Sequence, residues 1–223
     1  MTSHPAASLY QSAYERLRAD LISGRIKPGT KLKIAEIARA QGVSAAGIRE
    51  ALSRLAAEGF AVAEPQKGYR VAPVSQDELQ DLTHVRTHIE NDCLELAIGA
   101  GDYSWEATIL GASHRLSRIS KDEQVEGLEP FGTRWRAAHY DFHFSLVAAC
   151  PSNWFLRLRE QLWWQSERYR SVSVALAGTD RDIQQEHSDL AEAVLARDAM
   201  LAKRLMEKHL ARTAGALLNL SHF

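Results

Sequence analysis

The segment from Ile34 to Ala72 constrains the fold of this chain more than any other. Ile34, Ile37 and Ala38 recur at helical spacing and define a short apolar face ending at Gly42. Ser44 is a strong N-cap, and the helix it opens runs to about Glu58, with Ile48, Leu52 and Leu55 inward and Gly59 as its stop. Two short helices joined by a tight Gly-containing turn make a helix-turn-helix. Phe60–Glu64 and Tyr69–Ala72 then read as two strands about the turn Pro65-Gln66-Lys67-Gly68, a hairpin that forms a wing. Ahead of the pair, Leu9, Ala13, Leu17 and Leu21 line one face of a first helix stopped by Gly24, and Lys27-Pro28-Gly29-Thr30 is a turn. Residues 1–73 are therefore expected to be a winged helix-turn-helix.

Beyond Pro73 and a linker at 74–78, only helical patterns follow. Ser75 and Glu78 form a capping box. Helices are expected over about 75–99, 103–120, 129–149, 152–176, 180–196 and 198–219, with caps at Thr179–Asp182 and Asp198 and an acidic loop at Lys121–Glu129. The expected fold class is mainly α, with residues 79–223 an all-α bundle of six to seven helices. Cys93 and Cys150 sit in apolar stretches without a CxxC spacing and read as buried free thiols. No apolar run reaches the roughly 18 residues of a membrane span, and Met1–Ser12 lacks an apolar signal core, so the expected location is the cytoplasm.

Charge separates the two parts. Residues 1–72 hold eleven Lys/Arg against six Asp/Glu, leaving +5, whereas 73–223 hold sixteen against twenty-two, leaving −6. A basic front on an acidic body fits a nucleic-acid module carried by another domain. The second helix of the motif would enter the major groove with its N-terminal residues toward base edges. Ser44 suits a phosphate, Arg49 a base edge or phosphate, and Arg54 lies on the flank. Lys31 and Lys33, with Lys67 and Gly68 at the wing tip, would add backbone or minor-groove contacts.

Four of the nine histidines point inward. His139 and His143 stand at i, i+4 on one helix, His187 lies between Ile183 and Leu190, and His209 follows Leu205 and Met206. Three helices thus aim imidazoles at the bundle interior. From spacing alone, hydrogen-bonded core histidines and a shared metal ion are both open. His84 and His88 flank an apolar face and read as boundary residues. Trp154, Trp163 and Trp164 read as packing or interface residues.

The run Gly42-Val-Ser-Ala-Ala-Gly-Ile-Arg-Glu-Ala-Leu-Ser-Arg-Leu-Ala-Ala-Glu-Gly59 resembles the recognition region of GntR-type regulators, as do Ile22–Gly29 and the wing Gln66–Val71. The helical half is similar to the FCD effector domain of the FadR-type subgroup, and within it to regulators of glutarate-type carboxylate catabolism. The resemblance implies a divalent metal on His143, His187 and His209, with His139 where the family usually has Asp. It also places Arg86 near the effector pocket, where Arg86 and Arg168 would clamp a carboxylate; a surface ion pair of Arg86 with Glu90 is equally open. Ala35 and Ala45–Gly47 depart from the family, which carries arginines at two of these positions. Four neutral imidazoles leave the +2 of an ion uncompensated, which favours Zn or Ni over Mn and draws in an anion.

The function these features imply is a repressor of a catabolic operon. It would bind operator DNA as a dimer or tetramer, because paired half-sites need two reading helices, and be released by a small carboxylate. The alternatives are a metal-dependent hydrolytic enzyme built on the His cluster and a winged-helix interaction adaptor.

Overall fold

The computed structural model describes residues 5–126, 132–172 and 181–218. The chain divides into two units: one runs to Leu79 and takes in Trp163–Ser173, and the other contains Gln80–Leu162 and the last two helices.

The first unit is built from α1 (Pro5–Ile22), β1 (Lys31–Leu32), α2 (Ile34–Gln41), α3 (Ala45–Ala57), β2 (Ala61–Glu64) and β3 (Gly68–Val71). Ala13, Leu17 and Leu21 of α1 meet Ile48, Leu52 and Leu55 of α3 in a core closed by Leu32, Phe60 and Val71. Ile34, Ile37 and Ala38 of α2 pack against it, as their spacing predicts. Gly42 ends α2 in the left-handed conformation at φ 65°, where its N–H donates to Ala38 O. Ser44 Oγ then accepts from Gly47 N at 3.1 Å and caps α3. Strand order is β1-β3-β2, all antiparallel, with Ala63 opposite Tyr69 and Leu32 opposite Tyr69 on the other side. The sequence reads only the two wing strands. β1 has two residues, too few to carry an alternation signal.

The second unit is helical among its described residues. α4 (Gln76–Ala100) opens on the predicted cap, Glu78 N donating to Ser75 Oγ at 3.2 Å. α5 (Tyr103–Glu126), α6 (Thr133–Val147), α7 (Asn153–Val172, of which the part from Trp163 belongs to the first unit), α8 (Ile183–Leu195) and α9 (Ala199–Leu218) follow. Leu94, Ile109, Phe142, Leu146, Leu190, Val194, Met206 and Leu210 form the centre of its core. The Trp105 indole donates to Ser145 O at 2.7 Å, tying α5 to α6. Cys93 and Cys150 are buried free thiols, and burial, with Cys150 and Glu90 nearby, pushes the Cys93 thiol up to about 12.

Two boundaries differ from the sequence reading. Lys121–Glu129 reads as a loop, yet α5 continues through Glu126, because Lys, Glu and Gln are good helix formers and the first breaker is Gly127. Residues 127–129 lie outside the described residues, as do Thr179 and Asp180 of the cap before α8. Asp182 is the N-cap there, accepting from Gln185 N at 2.9 Å. Asp198 caps α9 as expected, accepting from Leu201 N at 2.9 Å. No helix among the described residues is long and apolar enough to cross a membrane.

Candidate metal centre and DNA-reading face

α6, α8 and α9 bring His139, His143, His187 and His209 into one buried cluster, their ligand atoms all within 4.8 Å of one another. Ring centroids lie 4.5 Å apart for His139–His143, 5.2 Å for His143–His187 and 5.0 Å for His187–His209. A tetrahedral nitrogen shell around Zn has N···N separations of about 3.3 Å, so each imidazole need close inward by no more than about 1 Å. Trp135, one turn before His139, stacks on it at 4.4 Å and fixes its plane. Phe142 presses on His143 and His187 and walls the cluster with apolar surface. Asp141 is exposed and pairs with Arg115 at 3.5 Å, facing away.

At His143 and His209 the surroundings favour the neutral imidazole, the form that binds metal. Burial, and then the positive potential of His209, His187, Arg86 and Arg159, hold His143 well below its ordinary range. Burial also lowers His209, although Glu186 pulls the other way.

Two ion clusters accompany the histidines, one buried around Glu90 and one half-buried around Glu186. Glu90 is fully buried and accepts from Arg159 Nε at 2.8 Å and Arg86 Nη2 at 3.4 Å. Glu186 accepts from Arg181 Nε at 2.8 Å, Arg212 Nη1 at 2.8 Å and His209 Nδ1 at 2.9 Å. Burial opposes ionisation of Glu186, but the hydrogen bonds from Arg181, His209 and Arg212 outweigh it and hold the carboxyl well below the usual carboxylate range. Among the described contacts, two guanidiniums meet each of these carboxylates. The sequence reading pairs Arg86 with Glu90 but at the surface, and it misses Arg159, Arg181, Glu186 and Arg212. Glu186 adjoins His187 in sequence, yet one helical step of about 100° turns it toward α9 instead.

Arg168 belongs to the first unit, where Nη1 lies 3.5 Å from Gly59 O and 3.4 Å from Ala72 O and Nη2 lies 3.4 Å from Glu78. Those partners engage both of its Nη nitrogens. His84 and His88 are both exposed on α4, rings 4.6 Å apart, outside the buried cluster. Trp163 is buried, Trp164 packs on the core of the first unit, and Trp154 is exposed beneath Arg157.

On the reading face, Ser44, Arg49 and Lys67 are exposed, and among the described residues no carboxylate comes within salt-bridge reach of Arg49. Lys33 pairs with Glu36 at 2.9 Å in an exposed, exchangeable bridge. Arg54 is committed elsewhere. Its Nε donates to Glu58 at 3.1 Å and its guanidinium lies 3.9 Å over the Tyr14 ring. Tyr14 in turn donates to Glu58 at 2.6 Å, and burial and that bond push the phenol up to about 12. Gln66 takes φ 59° and Gly68 φ 93° at the wing tip.

Residues 9–71 match the profile of the bacterial regulatory proteins of the gntR family, and residues 81–212 match the FCD domain. The chain belongs to the GntR family. This GntR-family chain is 36% identical over 201 residues to the HTH-type transcriptional repressor GlaR of Escherichia coli K12, covering 88% of this chain and 90% of the relative. It is 34% identical over 203 residues to the uncharacterised HTH-type transcriptional regulator BphR of Paraburkholderia xenovorans LB400, covering 91% and 82%. The fold matches E. coli McbR/YncC with a TM-score of 0.78 at 19% identity, covering 98% of both chains. The chain is thus a bacterial transcription regulator and not an enzyme, with a winged helix-turn-helix ahead of an FCD domain.

Proposed function

We propose that this regulator represses a catabolic operon and is released from its operator by a small carboxylate bound beside a divalent metal ion. The observation that carries this reading is the cluster of four buried imidazoles with ligand atoms within 4.8 Å of one another. His139, His143, His187 and His209 would hold the ion, Zn or Ni in preference to Mn, because all four donors are nitrogen. The ion would supply a Lewis-acidic coordination site for an anion. None of the four donors is anionic, so the bound ion would keep its charge until an anion arrives. Arg86 is the guanidinium best suited to meet that anion. The glutarate-type resemblance in the sequence names dicarboxylates as the class to test first.

DNA binding falls to Ser44, Arg49, Arg54, Lys33, Lys67 and Gly68, with Arg54 also bracing α3 through Glu58. Operators with paired half-sites require a dimer or a tetramer, and the cytoplasm is where such a regulator would work.

The test is a gel shift on DNA from upstream of the protein's own gene, with Zn-loaded protein and added glutarate or related dicarboxylates. Specific, salt-sensitive binding that a dicarboxylate releases is the expected result. Binding that no carboxylate alters, with metal present at full stoichiometry, would overturn the effector class. Full metal content in the His143→Ala and His187→Ala variants would overturn the centre.

A further inference from the structure

We propose that Glu186 is the positioning residue of the metal centre: it fixes His209 in the Nδ1–H tautomer and so leaves Nε2 as that residue's ligand nitrogen. This rests on reading the four-histidine cluster as a metal site.

The hydrogen bonds around Glu186 determine the tautomer. Arg181 and Arg212 only donate, and together they engage both carboxylate oxygens: Nε of Arg181 and Nη1 of Arg212 each lie 2.8 Å from Oε1, and Nη2 of Arg181 lies 2.5 Å from Oε2. Both oxygens therefore act as acceptors, and His209 Nδ1, 2.9 Å from Oε2, has to be the donor. One contact could argue for the opposite tautomer, since Arg181 Nη2 lies 3.2 Å from the same Nδ1. That group already has better acceptors, Oε2 at 2.5 Å and His209 O at 3.1 Å. A neutral imidazole with Nδ1 protonated carries its lone pair on Nε2.

The arrangement is a carboxylate–histidine–metal relay, in which the outer carboxylate orients the ring and raises its basicity. The two arginines add a second consequence. They cancel the charge of Glu186 and exceed it, so the carboxylate orients His209 without making the centre anionic. Thr213 completes the frame, accepting from Arg181 Nη1 at 3.0 Å and donating to His209 O at 2.9 Å. Arg181 therefore holds Glu186, Thr213 and the backbone of α9 together.

The experiment compares the full chain with its Glu186→Ala and Glu186→Gln variants by two measurements. In the first, a chromophoric chelator competes with each protein for Zn. Glu186→Ala should bind Zn about 10–100-fold more weakly than the parent. Glu186→Gln keeps an oxygen that can accept from Nδ1–H and should recover most of the loss. In the second, 15N-histidine NMR of the metal-free proteins reads the tautomer. The parent should show His209 protonated at Nδ1, Glu186→Gln should keep that signature, and Glu186→Ala should shift population toward Nε2–H. An Nε2–H tautomer in the parent, or unchanged Zn affinity in Glu186→Ala, overturns the proposal. If the parent takes up no Zn, the metal reading fails, and the tautomer measurement alone still decides whether Glu186 sets the ring.

Discussion

At the scale of single residues, His139 would govern the chemistry of the proposed metal centre. It stands where the family usually places Asp, and an aspartate would bring one negative charge and an oxygen donor. His139→Asp should therefore raise affinity for Mn relative to Zn and weaken any bound carboxylate, as metal competition followed by effector titration would read. A variant with the parent's metal preference would show that His139 is not a ligand. Which histidines converge was legible in the sequence, because inward-facing positions follow from helical periodicity alone. What orders them was not, because Glu186, Arg181 and Arg212 come from two helices and a loop, and no spacing rule links them to His209. Cys93 gives a simpler prediction. With its thiol pushed up to about 12 by burial, then by Cys150 and Glu90, it should resist alkylation in the native protein at pH 8 and react once urea unfolds the chain. Rapid native labelling of Cys93 would contradict its burial.

At the scale of elements, α3 and the wing would carry the proposed reading face. The Ser44 cap and the apolar positions Ile48, Leu52 and Leu55 define α3 in the sequence and in the structure alike, because local propensity and core packing agree there. The commitment of Arg54 was not legible, since it depends on Tyr14 arriving from α1. Arg49→Ala should cost about 1–3 kcal/mol in operator binding if Arg49 reads a base, with folding and metal content unchanged. Ala45 is exposed at the start of α3, so Ala45→Arg should strengthen binding and steepen its salt dependence by about one phosphate contact. Equal salt slopes for parent and variant would place Ala45 away from the backbone. The wing tip has its own signature. Gln66 occupies the left-handed region at φ 59°, a conformation costly for a residue with a side chain. Gln66→Gly should stabilise the protein by up to about 1 kcal/mol in urea unfolding, the relief of that strain exceeding the added chain entropy.

At the scale of the whole molecule, the first unit is not a contiguous stretch of chain. The sequence places its boundary at residue 73, where the wing pattern ends, and nothing in the periodicity of 152–176 distinguishes one half of that helix from the other. Yet Trp163–Ser173 groups with the winged helix. Trp164 packs on its core, Gln165 Nε2 donates to Glu58 O at 2.6 Å, and Arg168 meets the carbonyls of Gly59 and Ala72. These carbonyls lie where α3 gives way to β2 and just after β3, the corner that sets the angle between recognition helix and wing. Long-range partners of backbone carbonyls leave no trace in hydrophobic period, because any polar side chain on the right turn would serve. A fragment of residues 1–79 should therefore keep its secondary structure but lose stability. With each lost hydrogen bond worth about 0.5–1.5 kcal/mol and apolar cover from Trp164 gone as well, the deficit should reach at least about 2 kcal/mol. Hydrogen exchange of the α3 amides, compared between fragment and full chain, measures it directly, and equal protection in the two would mean that residues 163–173 contribute nothing to the winged helix. Arg168→Ala in the full chain isolates the polar part of the effect. It should lower α3 protection while leaving Zn affinity at the parent value, because Arg168 bonds within the first unit and the four histidines lie in the second.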